Sequence, residues 1–247
     1  DYLNTCEKLI SDLKSSELDK VVLSRQKIVS LKDSPDKICG KLNEKYTNTF
    51  NYLISIEGLG CWMGATPELL FNLENNKFNS VSLAGTKSDL SAPWGDKELE
   101  EQQIVTDFIH EQLIASCTNI KIDGPNTMNA GTFYHLHTKF RAQTKFNNWK
   151  TLVKNLHPTP ATCGLPQQPA KDHIKSIEPH QREFYTGFLG PVNSSKISLF
   201  VNLRCMQIIN NEAILYLGGG ITAQSNSNDE WNETEKKSET LLKVISK

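Results

Sequence analysis
Apolar positions along the 247 residues recur at two spacings, and the switches between them mark out most of the elements. Residues 5–18 carry the pattern of an amphipathic helix, and 20–30, rich in Val, Leu and Ile, read as a strand. Ser34-Pro35-Asp36 offers a cap followed by proline at the first helical position, opening a helix that runs to about residue 46. Short strands are expected at 50–56, 61–64, 69–73 and 77–83. The longest helical pattern spans 96–115, with Leu99, Ile104, Phe108 and Leu113 as its apolar stripe. Residues 131–145 read as a long strand, followed by helices near 149–156 and 167–177. Strand-like segments at 185–192, 197–209 and 213–217 precede a final helix over 228–245. Loop signals are densest at 75–76, 91–93, 123–126 and 224–228, and no linker or repeat divides the chain. Adjacent strands interrupted by helices favour one α+β domain with antiparallel sheet over a doubly wound parallel sheet.

Composition narrows the class. Lys and Arg number 27 against 28 Asp and Glu, a net charge of -1, so the basic excess of a nucleic-acid or membrane-surface binder is missing. No apolar run reaches the roughly 18 residues of a membrane span, and no leader pattern opens the chain. The six cysteines include no Cys-x-x-Cys pair and no histidine at zinc-ligand spacing, which points to a reducing, cytoplasmic setting.

A few residues carry candidate chemistry. Glu98 and Glu101 stand three apart on one expected helix, and Glu230 and Glu233 repeat the spacing on another. Each pair lies on one helix face. Two such pairs facing each other would suit Mg2+ or Ca2+, which take oxygen ligands, while the spacing alone suits a solvated face equally. Gly218-Gly219-Gly220 follows a strand and reads either as a plain turn or as a loop whose amides approach an anion; it is neither a Walker loop nor a dinucleotide fingerprint. Lys20 opens an apolar strand. Burial there would favour the neutral amine and base function, whereas an edge position would let the amine reach water. His135 falls within a strand, where a structural role is the default.

Taken together, segments from Lys20 onward resemble the chorismate-utilising enzymes, the isochorismate, salicylate, anthranilate and aminodeoxychorismate synthases. They are Lys20 to Arg25, Gly64-Ala65-Thr66-Pro67-Glu68-Leu69-Leu70, Leu83-Ala84-Gly85-Thr86, Glu101 before Ile104-Val105, and His135-Leu136. Leu156 to Gly164, Arg182 to Gly187, Asn202-Leu203-Arg204, Gly218 to Ile221, and Glu230-Trp231 through Glu233 to Lys237 complete the series. Each is weak alone, and their succession in the family's order makes the resemblance specific. It implies two packed, largely antiparallel β-sheets flanked by helices, in one chorismate-binding domain over 1–247. Members of the family carry a longer region before the Lys20 strand, so 1–19 is expected to be the remnant of a shortened N-terminal part; the missing initial Met agrees.

The resemblance implies roles as well. Lys20 would be the base activating water for attack at C2 of chorismate, and Glu68 the acid protonating the departing C4 hydroxyl, an arrangement needing a neutral lysine and a protonated glutamate. Glu101 and Glu233 would bind Mg2+ directly, with Glu98 and Glu230 direct or through water. Tyr185, Arg204, Lys237 and the amides of Gly218 and Gly220 would cradle the enolpyruvyl carboxylate. Gly85 and Thr86 would line the ring side, and His135, Thr159 and Ala161 would also meet substrate. The His157-Pro158-Thr159-Pro160-Ala161 segment is similar to isochorismate synthases, which makes a monomeric, Mg2+-dependent isochorismate synthase the expected activity. Ala84 stands where aminodeoxychorismate synthases place a lysine. Lys20 and Glu68 also suit a salicylate synthase, which goes on to eliminate pyruvate, and a shortened N-terminus also suits a non-catalytic chorismate-binding subunit. Gln102 replaces the usual His after the metal glutamate, and Thr186 and Gly219 replace the usual Ala.

Overall fold
The computed structural model describes residues 2–87, 89–129 and 134–245. Residues 131–133 of the strand expected at 131–145, and positions 1, 246 and 247 of the expected domain, lie outside the described residues. In chain order the elements begin with α1 (Tyr2–Leu13), β1 (Lys20–Ser30), α2 (Pro35–Lys45), β2 (Phe50–Ile56), β3 (Gly60–Thr66), β4 (Leu69–Glu74) and β5 (Lys77–Lys87). Next come α3 (Asp96–Ile114), β6 (Thr118–Asn129), β7 (Tyr134–Gln143), α4 (Trp149–Leu156), β8 (Gly164–Leu165) and α5 (Gln167–Ile177). The chain closes with β9 (Phe188–Leu189), β10 (Lys196–Val201), β11 (Cys205–Ile209), β12 (Glu212–Ile221) and α6 (Ser227–Ile245).

These strands form two six-stranded sheets, ordered β2-β3-β11-β12-β1-β8 and β6-β7-β5-β4-β10-β9, and every neighbouring pair is antiparallel. The α+β class is therefore as expected. Helices cover the sheets through three apolar clusters. Val105, Phe108, Ile109 and Leu113 of α3 and Leu152 and Leu156 of α4 pack on Phe71, Phe78 and Phe140 of the second sheet. Ile38 and Leu42 of α2 and Leu241, Val244 and Ile245 of α6 pack on Met63, Met206 and Leu215 of the first. Cys6, Leu9 and Leu13 of α1 and Ala170 and Ile174 of α5 cover Val21 and Leu23 of β1. An aromatic layer of Tyr52, Trp62, Tyr185 and Tyr216, with Phe50 stacked 4.6 Å from Phe200, joins one sheet to the other.

Of the passages the chain makes between the sheets, those at β3–β4 and β10–β11 are tied together. Thr66 Oγ1 donates to the Val201 carbonyl at 2.5 Å, Val201 N donates to the Glu68 carbonyl at 2.9 Å, and Ala65 N to the Arg204 carbonyl at 3.1 Å. Glu68 and Arg204 thus occupy adjacent corners of the fold. Arg204 adopts a left-handed backbone, φ 49°, and that turn is what splits the single strand expected at 197–209 into β10 and β11 on different sheets.

Other differences have local causes. The first helix ends at Leu13, five residues short of the expected 18, in a turn around Ser15. Leu99 is 41% exposed and Ile104 only part-buried; the buried face of α3 is instead Gln102, Val105, Phe108, Ile109 and Leu113. The loop expected at 123–126 lies inside β6, an exposed edge strand where a register shift between Asp123 and Asn126 accommodates Pro125. Of the strand expected at 185–192 only β9 and an isolated bridge from Val192 to Ile197 form. Gly218-Gly219-Gly220 is neither turn nor loop; the glycines lie in β12 opposite Ser24, Leu23 and Val22 of β1. Among the described residues no helix is long and apolar enough to cross a membrane. Phe140 is fully buried between the second sheet and α3. Phe140→Ala should lower unfolding free energy by about 3–5 kcal/mol, seen as a reduced urea midpoint at unchanged slope.

Candidate active site
Pairing between β12 and β11 ends at Leu215, so from Tyr216 onward the β12 edge away from β1 has no partner strand in the sheet. The Gly218 carbonyl accepts Lys237 Nζ at 2.9 Å, which places it on that open edge. In an antiparallel strand the N–H of the same residue points the same way, and the next residue to do so is two further on. The amides of Gly218 and Gly220 therefore face the open edge. Val22 N agrees: it donates to the Cys163 carbonyl rather than across to Gly220.

A cavity opens along this edge, between the sheets. Twelve of the residues expected in the site line it: Glu68, Gly85, Thr86, Glu101, His135, Ala161, Tyr185, Arg204, Gly218, Gly220, Glu233 and Lys237. Lys20, Glu98, Glu230 and Thr159 lie outside the lining. Lys20 is 0% exposed, and its Nζ donates to Glu101 Oε1 at 2.7 Å. The edge position that would let the amine reach water is thus not what the fold builds. The neutral lysine expected of a base is instead held in an ion-pair arrangement with Glu101, whose Oε2 also accepts the Gly85 amide at 3.2 Å. A Cβ at Gly220 would lie 2.6 Å from Lys20 Cε and 2.7 Å from Glu101 Oε1, so the pair exists because that residue has no side chain. Burial works to raise the Glu101 pKa, but Lys20, Lys237 and Lys97 outweigh it and hold the carboxyl below its usual range.

Glu68, 6% exposed at the β3–β4 crossing, shows the opposite balance. Burial pushes its pKa up to about 7 against the pull of Lys20, Lys237 and Arg204. Such a carboxyl keeps a substantial protonated fraction at neutral pH and can donate a proton. His135 Nδ1 lies 3.1 Å from the Gly85 carbonyl, which only accepts, so the ring carries its proton there; Thr86 Oγ1 is 3.2 Å from the same nitrogen. Burial, with Arg204 adding, lowers the His135 pKa to about 4, so it stays neutral across the physiological range. Gly85, at φ 68°, sits at the register shift of β5 against β7, and a Cβ there would meet Glu98 of α3 at 3.1 Å.

Opposite Glu68, Tyr185 Oη would be 2.6 Å from a Cβ at Gly218, so this glycine too admits a site side chain. Lys237 bridges Gly218 O and Glu233 Oε1, the latter at 2.5 Å, and Arg204 Nη1 donates to the Lys237 carbonyl at 3.2 Å. Glu230 is almost fully buried and accepts Lys97 Nζ at 2.6 Å and Ser225 Oγ at 2.7 Å. Burial, then the nearby Glu233, raises its pKa. Because side chains alternate along a strand, Glu101 approaches one face of β12 at Gly220 while Glu230 and Glu233 approach the other at Gly219.

Glu98 and Thr159, both outside the lining, have local backbone roles. Glu98 folds its carboxylate back onto the Gly95 amide, 3.1 Å away, capping α3 where the helix exposes unpaired N–H groups. Thr159 directs its carbonyl into a turn, accepting Thr162 N and Cys163 N, both at 3.0 Å.

Sequence spacing missed three further residues. Lys97 crosses from α3 to Glu230 on α6. Arg182 donates to Val22 O at 2.6 Å, Thr162 O at 2.9 Å and Glu178, joining two cavity walls from behind. Gln102, set aside as the replacement for a family His, donates from a buried position to Ser82 Oγ at 2.8 Å and Thr138 Oγ1 at 3.0 Å. Apart from Glu178, four residues before Arg182, the named partners lie 20 or more positions away, so no local pattern announces them.

The fold thus gathers a buried acid and carboxylates from two helices around one cavity between antiparallel sheets, with a buried lysine behind its wall. The chain belongs to the chorismate-binding enzymes: the family described as "Chorismate binding enzyme" matches residues 1–246. It is similar to isochorismate synthase EntC of Escherichia coli strain K12, 30% identical over 245 residues, covering 93% of this chain and 63% of that protein. It is likewise similar to isochorismate synthase MenF of Bacillus subtilis strain 168, 30% identical over 262 residues, covering 99% of this chain and 55% of the other. The chain thus spans less than two thirds of the length of either. The solved DhbC structure from Bacillus anthracis superposes with a TM-score of 0.91 at 29% identity, over 99% of this chain and 71% of its own. Anthranilate synthase component I from Streptococcus pneumoniae TIGR4, TM-score 0.86 at 18% identity over 97% of this chain and 57% of its own, shares the fold.

Carboxyl-resolved 13C NMR of glutamate-labelled protein should show one titration near pH 7 that Glu68→Gln removes. A Glu68 midpoint near the ordinary 4.5 would overturn the buried-acid assignment.

Proposed function
We propose that the chain is a Mg2+-dependent isochorismate synthase, adding water at C2 of chorismate with loss of the C4 hydroxyl. The observation that supports this most is a fully buried Lys20 behind the cavity wall, close enough to act on the charge of a buried, high-pKa Glu68 that lines it, in a chain similar to isochorismate synthases. A pure binder has no use for an acid and a base together, and general acid–base pairs are the usual means of moving a hydroxyl. In this reading Lys20 takes the proton of the attacking water and Glu68 protonates the leaving hydroxyl. Tyr185, Arg204, Lys237 and the open-edge amides of Gly218 and Gly220 receive the enolpyruvyl carboxylate, where Arg204 suits a two-pronged contact. Gly85, Thr86, His135 and Ala161 border the ring.

The residues fit a hard divalent cation by their chemistry, since Glu101 from one face and Glu230 and Glu233 from the other bring carboxylate oxygens to the Gly219–Gly220 stretch of β12. In the arrangement seen, Lys20, Lys97 and Lys237 take those oxygens, and among the described residues no three acidic, His or Cys side chains close into a metal-holding group. Glu101 and Glu233 would hold the ion, with Glu230 and Glu98 in support. When bound, the ion supplies positive charge for the ring carboxylate of the substrate.

Purified protein given chorismate and Mg2+ should yield isochorismate by chromatography, and Lys20→Ala should lose about 10²–10⁴ of kcat. Salicylate and pyruvate as direct products would favour a salicylate synthase instead. Glu68 acts as an acid only while protonated, so with a pKa of about 7 its competent fraction falls as pH rises above that value. The rate should therefore show a descending limb from near pH 7, and that limb should be absent from the slower Glu68→Gln enzyme.

A further inference from the structure
Tyr2 stands at the start of α1, its ring 5.8 Å from that of Trp231 on α6. It is 9% exposed, and its hydroxyl has no hydrogen-bond partner among the described residues. A buried hydroxyl without a partner is destabilising, so packing alone would be served better by Phe. What surrounds the hydroxyl is the glutamate pair. The side-chain position that Gly219 leaves vacant lies 3.9 Å from Tyr2 Oη, 3.2 Å from Glu230 Oε2 and 4.0 Å from Glu233 Oε1. A phenol with an unused donor thus shares one small space with the oxygens of two glutamates. Burial, with Cys6, Glu230 and Glu233 adding, pushes the Tyr2 pKa up, which keeps its proton in place for donation.

At present Glu230 is directed by Lys97 and Ser225, and Glu233 by Lys237. Those contacts use the oxygens a cation would need. Carboxylates that hold metal ions depend on outer donors to fix their orientation, and loss of such a donor typically costs 10–100-fold in metal affinity. We propose that Tyr2 is a positioning residue for the Glu230–Glu233 pair, its hydroxyl donating to that pair once a divalent cation draws the glutamates from Lys97 and Lys237. This rests on the Mg2+ reading given above. It also makes α1 a working part of the site rather than a remnant.

Titration calorimetry of the whole chain with MgCl2 tests the proposal, using wild type, Tyr2→Phe and, as a packing control, Leu9→Ala, which thins the same helix interface. Tyr2→Phe should bind Mg2+ roughly ten-fold or more weakly. Its melting temperature in EDTA should equal or exceed that of wild type, since the unpartnered hydroxyl is gone. Leu9→Ala should melt lower with Mg2+ affinity unchanged. Equal affinity in wild type and Tyr2→Phe would overturn the role of Tyr2 while leaving the metal site standing. No Mg2+ binding by wild type would overturn the metal reading and this inference with it.

Discussion
Three residues of β12 without side chains are the constraint on which the site depends. Gly218 leaves room for Tyr185 Oη, Gly219 for Glu230, and Gly220 for the Lys20–Glu101 contact. A single Cβ at Gly220 would come within 2.7 Å of both members of that ion pair. Because the same stretch has no partner strand beyond Leu215, its backbone groups are also left for other use, and Lys237 already takes one of them. Bare strand and open edge together bring α3, α6 and β1 close enough to share one set of charges.

That set nearly cancels, as the whole chain does. Lys20, Lys97 and Lys237 answer Glu101, Glu230 and Glu233, so burying the carboxylates does not leave them uncompensated. Glu68 lies near the same cations without a direct ion pair to any of them, and burial wins there, as burial and Glu233 together do at Glu230 in spite of Lys97. Two glutamates on one cavity are driven in opposite directions, Glu101 toward its charge and Glu68 toward its proton. Environment, not residue type, divides their roles.

The sequence was most legible where pattern is local. β1, β2, α3, α4 and α5 stand within a residue or two of their expected bounds, because each has its own apolar period and its own punctuation. It was least legible where a strand's character comes from a neighbour. β6 is an exposed edge carrying Gly124 and Pro125, and only its register with β7 makes it a strand. The 197–209 run is uniformly strand-like, and its division at Arg204 answers to the second sheet rather than to local composition.

By itself, the order of motifs identified the family and nominated the acid, the lysine and the carboxylates, since those are residue types at fixed places in a chain. The tertiary structure decided their states. It turned three glycines from a presumed loop into a strand, set Lys20 fully inside against Glu101, folded Glu98 back onto its own helix, and brought Tyr2 and Lys97 to the Glu230–Glu233 pair. Apart from the local Glu98 cap, these are contacts between residues 81 or more positions apart, and no spacing in the sequence records them.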